Sequence, residues 1–554
     1  MDGLRQRAGN WLRRARQVAG ILTRFGFGSF LQLLGLDRLL PWRPRPDEQT
    51  AGVTAAVRLR LALEELGATT IKLGQALSTR ADVVPVDVAQ ELRRLQDEVP
   101  PVPFERARQV VEEQLGAPLG ELFAEFEETP VASASLSQVH RAVLPSGETV
   151  AVKVRRPGIE QQVETDLQIL GWVARRAEQY SQWCKQNSVA QLADEFAHSM
   201  RQELNFVTEA RNTEQLRVNM QGDGRAIVPH VHWSLTKRAV LTLEWIEGIK
   251  VDQVATLREA GVSCPQVARN FAELMLGQIF EDGYFHADPH PGNVRILPDG
   301  TIALLDCGNA GYLGKRMRDA FIRLLIAALD EDGPAVCDHT IAIGAISDRT
   351  NLQDLQADIE KLIGRYGRVR TSAGMLTELL DQMMAMVLRH GIRMPASFPQ
   401  LVRALVVTEG VCLQLDPDFD FRGAADKTAE VVLREWVRPA HLLQEVVDAV
   451  RELRRYGMRL PRQVSHLFSQ ALAGGLKAKV EYVGLERPLH RLDVMVNRIA
   501  FAMVVAAIIV SSAVMFSSKT VTEVIGRPVS LMYVVVGVLM GAWLVYSILR
   551  SGRL

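Results

Sequence analysis

The chain has 554 residues, with 64 Lys and Arg balanced by 64 Asp and Glu, and 47% of it is hydrophobic. That length is enough for roughly two or three cores, and zero net charge removes any global argument for a nucleic-acid partner. Five scattered cysteines (Cys184, Cys264, Cys307, Cys337 and Cys412) lack metal-ligand spacing, which fits reduced thiols on the cytosolic side better than a disulfide framework.

Residues 1–50 interleave Arg5, Arg7, Arg13, Arg14, Arg16 and Arg24 with Leu4, Trp11, Val18, Ile21, Leu22 and Phe25. The arginines break the apolar runs, so no cleavable signal peptide is expected. Such a basic amphipathic segment either lies on an anionic membrane surface or packs as a solvated helix on its own protein. Composition leaves both open.

From Val53 to Leu95 the apolar positions Ala56, Leu59, Leu63 and Leu66 recur at helical spacing. This run predicts a helical extension over 51–128. It contains Lys72-Leu73-Gly74-Gln75. Gly74 inside a helix costs about 1 kcal/mol relative to Ala, so a close backbone neighbour is expected there. Periodicity alone puts Lys72 and Gln75 on the surface.

After Thr129-Pro130 the period shortens to alternation. Ala132-Ser133-Ala134-Ser135-Leu136-Ser137-Gln138 is a run of small residues, Val143 to Glu148 reads as a hairpin turn, and Thr149-Val150-Ala151-Val152-Lys153-Val154 reads as a strand. This order is that of a nucleotide-binding small lobe, predicted over 129–250. Small side chains let backbone N–H groups approach phosphates, and Lys153 is placed to pair them as a point charge. The loop has no glycine, so its grip should differ from that of an ordinary protein kinase. Residues 188–217 read as one long helix bearing Glu195, Glu203 and Glu209, any of which could fix the lysine by charge. Strand-like runs follow at 226–233 and 239–245. Leu243 to Gly248 falls where a hinge would offer backbone groups to an adenine edge, with Glu244 and Ile246 as candidates.

His286-Ala287-Asp288-Pro289-His290-Pro291-Gly292-Asn293 and Leu305-Asp306-Cys307-Gly308 complete the order. An Asp, an Asn five positions on and a second Asp after a β-rich run are laid out as in the catalytic loop and metal turn of kinase-like phosphotransferases. Asp288 occupies the catalytic-base position. Asn293 and Asp306 offer the hard oxygens that magnesium takes. Helical periodicity then continues through a large lobe, 251–424. No Ala-Pro-Glu element or long activation segment follows Asp306, which argues against a phosphorylation-switched protein kinase.

Residues 425–498 read as a helical connector. Ile499–Ser518 and Val529–Leu549 carry no charge, and each has about the ~20 residues that cross a hydrocarbon core. A transmembrane hairpin over 499–549 is expected. Arg487, Arg491, Arg498, Arg550 and Arg553 outweigh Lys519 and Arg527 in the link, so both ends should face the cytosol.

These motifs together resemble the UbiB family, the ADCK-type atypical kinase-like proteins. Lys72-Leu73-Gly74-Gln75 matches its KxGQ motif, and the Ala/Ser-rich loop, Glu203-Leu204-Asn205-Phe206, Glu209-Ala210, the 286–293 stretch, Leu401-Val402-Arg403-Ala404 and Glu409-Gly410 also look like the family. The resemblance implies an α+β, bilobal, protein-kinase-like fold in which KxGQ helices cover the active site. It implies that Lys153 pairs with Glu209, that Asn293 and Asp306 hold Mg2+ on ATP, and that Lys72 and Gln75 turn inward, Lys72 toward Glu203. Two departures stand out: Asn205 replaces the second carboxylate of an ExD element, and Cys307 stands where Phe is usual.

The function so implied is an ATPase or small-molecule kinase serving ubiquinone biosynthesis at the inner membrane, with the kinase-like domain facing the cytosol. The alternative is a non-catalytic, nucleotide-sensing scaffold for quinone-biosynthesis enzymes. Expected partners are anionic membrane lipids and isoprenoid quinone precursors or the enzymes acting on them, with a homodimer as a further expectation and no nucleic acid. A quinone hydroxylase is disfavoured, since neither a flavin fingerprint nor a metal-ligand cluster is present.

Overall fold

The computed structural model describes residues 2–33, 52–78, 84–95, 99–186, 188–344, 350–366, 374–392, 394–395, 397–421, 423–425 and 535–536. The chain divides into two units, Met1–Leu443 and Gln444–Leu554, and nearly all described residues belong to the first. Among the described residues no helix is long and apolar enough to cross a membrane. The expected connector (425–498) and hairpin (499–549) lie outside the described residues, apart from residues 425, 535 and 536.

The chain begins with helices α1 (Asp2–Arg24), α2 (Gly28–Leu33), α3 (Ala55–Leu66), α4 (Ala68–Ser78) and α5 (Val86–Leu92). The helical run predicted from Val53 is thus three helices. Gly67 separates the first two with φ +99°, a backbone region that costs glycine little. Leu63, Ile71, Leu92 and Leu95 form the apolar cluster between them. A Cβ on Gly74 would lie 2.2 Å from Leu95 Cδ1 and 3.0 Å from Leu63 Cδ1. The close neighbours of Gly74 are therefore leucine side chains, not the backbone expected.

Helices α6 (Phe104–Leu115) and α7 (Leu119–Leu122) lead into the small lobe. Strands β1 (Glu125–Phe126), β2 (Ala132–Ser133), β3 (Ser137–Val143) and β4 (Thr149–Arg155) are followed by α8 (Ile159–Tyr180), α9 (Gln182–Gln186), α10 (Val189–Glu203) and α11 (Phe206–Asn219). Next come β5 (Ala226–Ile227) and β6 (Val240–Glu244). The sheet runs β1-β3-β4-β6, with β2 paired to β3. The expected hairpin turn closes at the Val143–Thr149 pair. Alternation along β4 buries Val150, Val152 and Val154 against α6 and Phe123. Lys153, one residue out of phase, is left on the other face of the sheet.

Two predictions change here. The single helix expected over 188–217 is two, because Asn205 has extended backbone (φ −109°, ψ 94°) and its side-chain oxygen accepts the Val207 N–H at 3.3 Å. It is the N-cap of α11. Asn and Asp cap about equally well, so this departure keeps the capping role of the acid it replaces. We expect Asn205→Ala to cost about 1 kcal/mol and Asn205→Asp to be near neutral, as measured by urea unfolding of the full chain; equal losses in both variants would refute the capping role. The strand run expected over 226–233 shrinks to Ala226–Ile227, followed by a 3₁₀ turn at Trp233–Leu235.

The N-terminal segment resolves its two readings on one face. Ala15, Ala19 and Ile21 are buried, and the clusters that include Ala19 and Ile21 join α1 to α8 and α3. Arg14 donates to Asp166 of α8 at 2.6 and 3.0 Å and to the Leu66 carbonyl at 2.6 Å. Thr69 of α4 donates to the same carboxylate at 2.9 Å. The small apolar residues of α1 are thus covered by protein, whereas a helix lying on a bilayer must offer that face to lipid.

The large lobe contains β7 (Ile249–Lys250), α12 (Val254–Glu259) and α13 (Cys264–Gly277), which runs into a π-helical turn (Gln278–Asp282). Then follow β8 (Tyr284–His286), a 3₁₀ turn (Pro291–Asn293), β9 (Val294–Ile296), β10 (Ile302–Leu304) and β11 (Ala310–Tyr312). Helices α14 (Lys315–Leu329), α15 (Gly333–Ile343), α16 (Leu352–Tyr366), α17 (Met375–Arg389) and α18 (Ser397–Leu415) complete it. One sheet runs β5-β10-β9-β7, and β11 pairs with β8. The core packs Phe271 and Met275 of α13 with Ala404, Val411 and Cys412 of α18. Glu409 of α18 is buried and accepts the Leu376 and Thr377 N–H groups at 2.9 and 2.8 Å, which holds the first turn of α17.

Candidate active site

Three elements converge on Lys153. Strand β4 projects it into the cleft, α11 brings Glu209, and the turn after β10 brings Asp306. Lys153 Nζ lies 2.7 and 2.9 Å from the two Glu209 oxygens and 3.0 Å from Asp306 Oδ2. Phe206 sets its ring 5.5 Å from the same nitrogen. Of the three glutamates open by charge, Glu209 is the one that reaches the lysine.

The electrostatics follow from one cation between two anions. Burial pulls the Lys153 pKa down, but Asp306 and Glu209 more than offset this and hold it well above the ordinary lysine range. Burial works to raise Asp306 as well, yet Lys153 and the Gly308 N–H, 2.9 Å from Oδ1, keep it well below the usual carboxylate range. Glu209 bears the strain: burial first, and then the Asp306 charge, push it up to about 7 against the pull of Lys153. Asp306 is the open member, with its side chain 44% exposed against 8% for Glu209.

Asp288 and Asn293 arrive by a different route. In the β9–β10 hairpin Val294 pairs with Leu304, and the Leu305 N–H donates to the Asn293 carbonyl at 2.9 Å. This register sets Asn293 beside Asp306. Pairing of β8 with β11, His286 opposite Ala310, fixes the far ends of both loops. Buried His286 accepts the Asp288 N–H on Nδ1 at 3.1 Å, while its own N–H donates to Gln278 Oε1 at 3.0 Å. The Asn293 amide donates to the Asp288 carbonyl at 3.3 Å.

The residues expected to turn inward from the N-terminal helices do so in part. Lys72 Nζ lies 2.7 Å from Glu203 Oε1, and the Glu203 charge is among those acting on Glu209. Gln75 instead donates to the Leu95 carbonyl at 3.2 Å, within the extension itself.

Several expected nucleotide contacts need correction. Gln138 is buried; it accepts the Val102 N–H at 2.9 Å and meets His140 at 2.8 Å, so its side chain belongs to the lobe's interior. The Leu136 side chain fills an apolar cluster with Val163, Leu167 and Met200. Ser137 is buried as the first residue of β3, and Ala132 and Ser133 form β2. At the hinge the Glu244 N–H is taken by the His230 carbonyl and the Trp245 N–H by the Thr149 carbonyl. Of the hinge donors named from sequence, only Ile246 keeps an N–H outside this bonding.

What remains fits nucleotide and magnesium in chemical type. Ser135, at the loop tip, has a buried hydroxyl with no partner. Ala134 lies beside it in the same turn, its N–H closing onto the Ser137 carbonyl at 2.8 Å. Asp306 and Asn293 supply one carboxylate and one amide oxygen, a donor set that magnesium accepts when phosphates and water fill its other positions. Among the described residues, no three or more His, Cys, Asp or Glu come together as a metal cage.

Two contacts carry roles not assigned from sequence. Arg403 of α18 bonds Asp288 Oδ2 at 2.6 Å. Asn212 of α11 donates to the Gly308 carbonyl at 3.3 Å and accepts from Tyr284 Oη at 2.9 Å, so the helix that carries Glu209 also holds the metal turn. Cys307 is fully buried, and burial with the Asp306 charge pushes its thiol far up, so it stays protonated. Arg403 stands in a family-like stretch of the chain, but no local spacing names a partner 115 residues away, or 96 and 72 residues away for Asn212.

Family models described as the ABC1 atypical kinase-like domain, the UbiB helical domain and the ABC1/UbiB kinase-like C-terminal domain match residues 94–340, 359–420 and 483–550. A probable protein kinase UbiB from Marinobacter nauticus is 32% identical over 475 residues, covering 84% of this chain and 86% of the relative. The probable protein kinase UbiB of Pseudomonas aeruginosa is 36% identical over 428 residues, covering 76% and 80%. A solved structure of Rv3197 with erythromycin, from Mycobacterium tuberculosis, is 26% identical with a TM-score of 0.46, over 65% of this chain and 92% of that one. With 32% and 36% identity to the two UbiB relatives spread over most of each chain, the protein belongs to the UbiB family of atypical kinase-like proteins.

Proposed function

We propose that this protein is a membrane-anchored, magnesium-dependent ATPase or small-molecule kinase that supports isoprenoid quinone (ubiquinone) biosynthesis. The Lys153–Glu209–Asp306 cluster at 2.7–3.0 Å carries the reading. In it Lys153 is held by Glu209 to meet phosphate oxygens, Asn293 and Asp306 would hold magnesium, and Asp288 would orient or deprotonate the attacking hydroxyl or water. Bound magnesium would supply charge neutralisation on the phosphates. Ser135 and its neighbour Ala134 at the loop tip would line the phosphate side, and Ile246 the adenine side. The quinone connection rests on family membership, and the anchor on the uncharged stretches 499–518 and 529–549 with arginines outside both ends. That topology places the kinase-like domain in the cytosol, beside anionic lipids and quinone precursors; a homodimer is compatible with it.

The reading is tested by titrating purified full-length protein with Mg-ATP in a calorimeter. Asp306→Asn should weaken binding at least ~10-fold, the loss of one charged ligand contact. Equal affinity in variant and wild type would remove Asp306 from the site.

A second reading, the nucleotide-sensing scaffold, draws support from the Asp288 carboxylate already engaged by Arg403 at 2.6 Å. Lipid-stimulated ATP turnover that disappears in Asp288→Asn decides for catalysis; nucleotide binding without turnover in any lipid decides for the scaffold.

A further inference from the structure

Arg156 stands directly after β4 and is half-buried, yet no motif names it. Its guanidinium gathers carbonyls from two separate segments. Nε donates to the Ala134 carbonyl at 2.8 Å, and Nη2 reaches Ser133 Oγ and the Pro100 carbonyl, each at 2.8 Å, and the Val99 carbonyl at 3.3 Å. The Arg156 N–H adds a bond to the Leu136 carbonyl at 2.9 Å. One residue therefore touches three of the loop residues 133–136 together with Val99 and Pro100 in the linker between α5 and α6.

The loop is fastened at a second point. Leu136 lies in an apolar cluster with Ile159 and Val163 of α8 and Met200 of α10, against which Ala68 at the start of α4 also packs. A glycine-rich phosphate loop is free to rise and close; an Ala/Ser loop has fewer backbone states, and this one is held by both a side-chain plug and a forked cation. The planar guanidinium suits the task because it presents several donors in fixed directions, which an ammonium does not.

We propose that Arg156 is a positioning residue that fastens the Ala/Ser-rich loop to the 99–100 linker, so that the phosphate loop and the end of the lid move as one body. This rests on the nucleotide-site reading for its consequence but not for its geometry. Its consequence is a loop pre-shaped for phosphate, since ordering is completed in the free protein and not paid from binding energy. A surface arginine that merely supplies charge to the site would act differently: a lysine would replace it.

The experiment has two arms on the full-length chain. In the first, hydrogen exchange of nucleotide-free protein is followed in peptides covering 133–137 and 99–102, the latter read at the Val102 N–H because Pro100 and Pro101 have none. Arg156→Gln and Arg156→Lys should both speed exchange in the two peptides together, at least ~10-fold, while peptides in β6 stay as in wild type. Faster exchange at 133–137 alone, with 99–102 unchanged, overturns the coupling. In the second arm, Mg-ATP affinity should fall about 10-fold in both variants, with Lys no better than Gln; wild-type affinity in Arg156→Lys overturns the geometric role. Should Arg156→Gln fold poorly, Ser133→Ala removes one contact of the fork and should give the same joint change in exchange at smaller size. If wild type binds no nucleotide, the function proposed above fails, and the exchange arm still decides the coupling.

Discussion

Lys153→Met is expected to abolish ATP turnover, by at least ~100-fold, and to destabilise the nucleotide-free protein by about 2–3 kcal/mol at pH 8. Breaking a fully buried ion pair costs more, about 3–5 kcal/mol, but the Asp306 side chain is 44% exposed and water screens part of its charge. What the methionine leaves behind is Glu209, 8% exposed, facing Asp306 with no cation between them. The pH dependence has a definite sign. Glu209 lies at about 7, above its ordinary value, so its contribution to stability is complete below the unfolded-state pKa and is lost as pH rises through about 7. Without Lys153 that carboxyl moves higher still, and protonation relieves the clash. The cost of Lys153→Met should therefore be smaller at pH 5.5 than at pH 8, which urea unfolding at the two values measures. A stability equal to wild type at both would mean that the three groups do not interact as their distances require.

The second large effect is expected at Arg403. Its bond to Asp288 Oδ2 fixes one carboxylate oxygen and leaves Oδ1 outside that bond. General acid–base groups contribute about 10²–10⁴-fold, and a base that loses its orientation forfeits much of that. Arg403→Ala should lower kcat about 100-fold while changing KM for ATP less than about 3-fold, because Arg403 acts on the carboxylate. Arg403→Lys should recover only part, since an ammonium does not reproduce the fork. Steady-state turnover in lipid vesicles measures both. A proportional loss in KM with kcat intact would instead make Arg403 a nucleotide contact, and an unchanged kcat would dismiss it.

Helix α18 gains its meaning from that bond. Its Arg403 reaches the catalytic loop and its Glu409 holds the first turn of α17. The large-lobe helices are thereby coupled to the chemistry through one ionic contact and one capping contact, both over sequence distances that no local pattern encodes.

Residues that obey a local rule were legible in the chain. Alternation in Thr149–Val154 puts three valines inside and Lys153 outside, and β4 has that register. The turn at Val143–Glu148 and the order of loop, lysine, helix glutamate, catalytic loop and metal turn likewise follow from period and spacing. The KxGQ motif and the 286–293 stretch were enough to suggest the family. Polar residues are another matter, since type alone does not say which way they face. Gln138 reads as a loop residue and is buried against Val102 and His140; Asn205 reads as a lost carboxylate and is a helix cap; the Arg14 side chain is spent on Asp166.

The sequence by itself determined the strand that carries Lys153 and the candidate set Lys153, Asp288, Asn293 and Asp306, because each depends on periodicity or short spacing; the α+β class came with the family resemblance those motifs carry. Tertiary structure set Glu209, the glutamate that the resemblance implied, on the lysine, and it alone decided that Arg403 meets Asp288 and that Arg156 ties the loop to the 99–100 linker. Those contacts join residues 56, 115 and up to 57 positions apart, and only the packing of separate elements sets such pairs within a hydrogen bond's 2.6–3.3 Å.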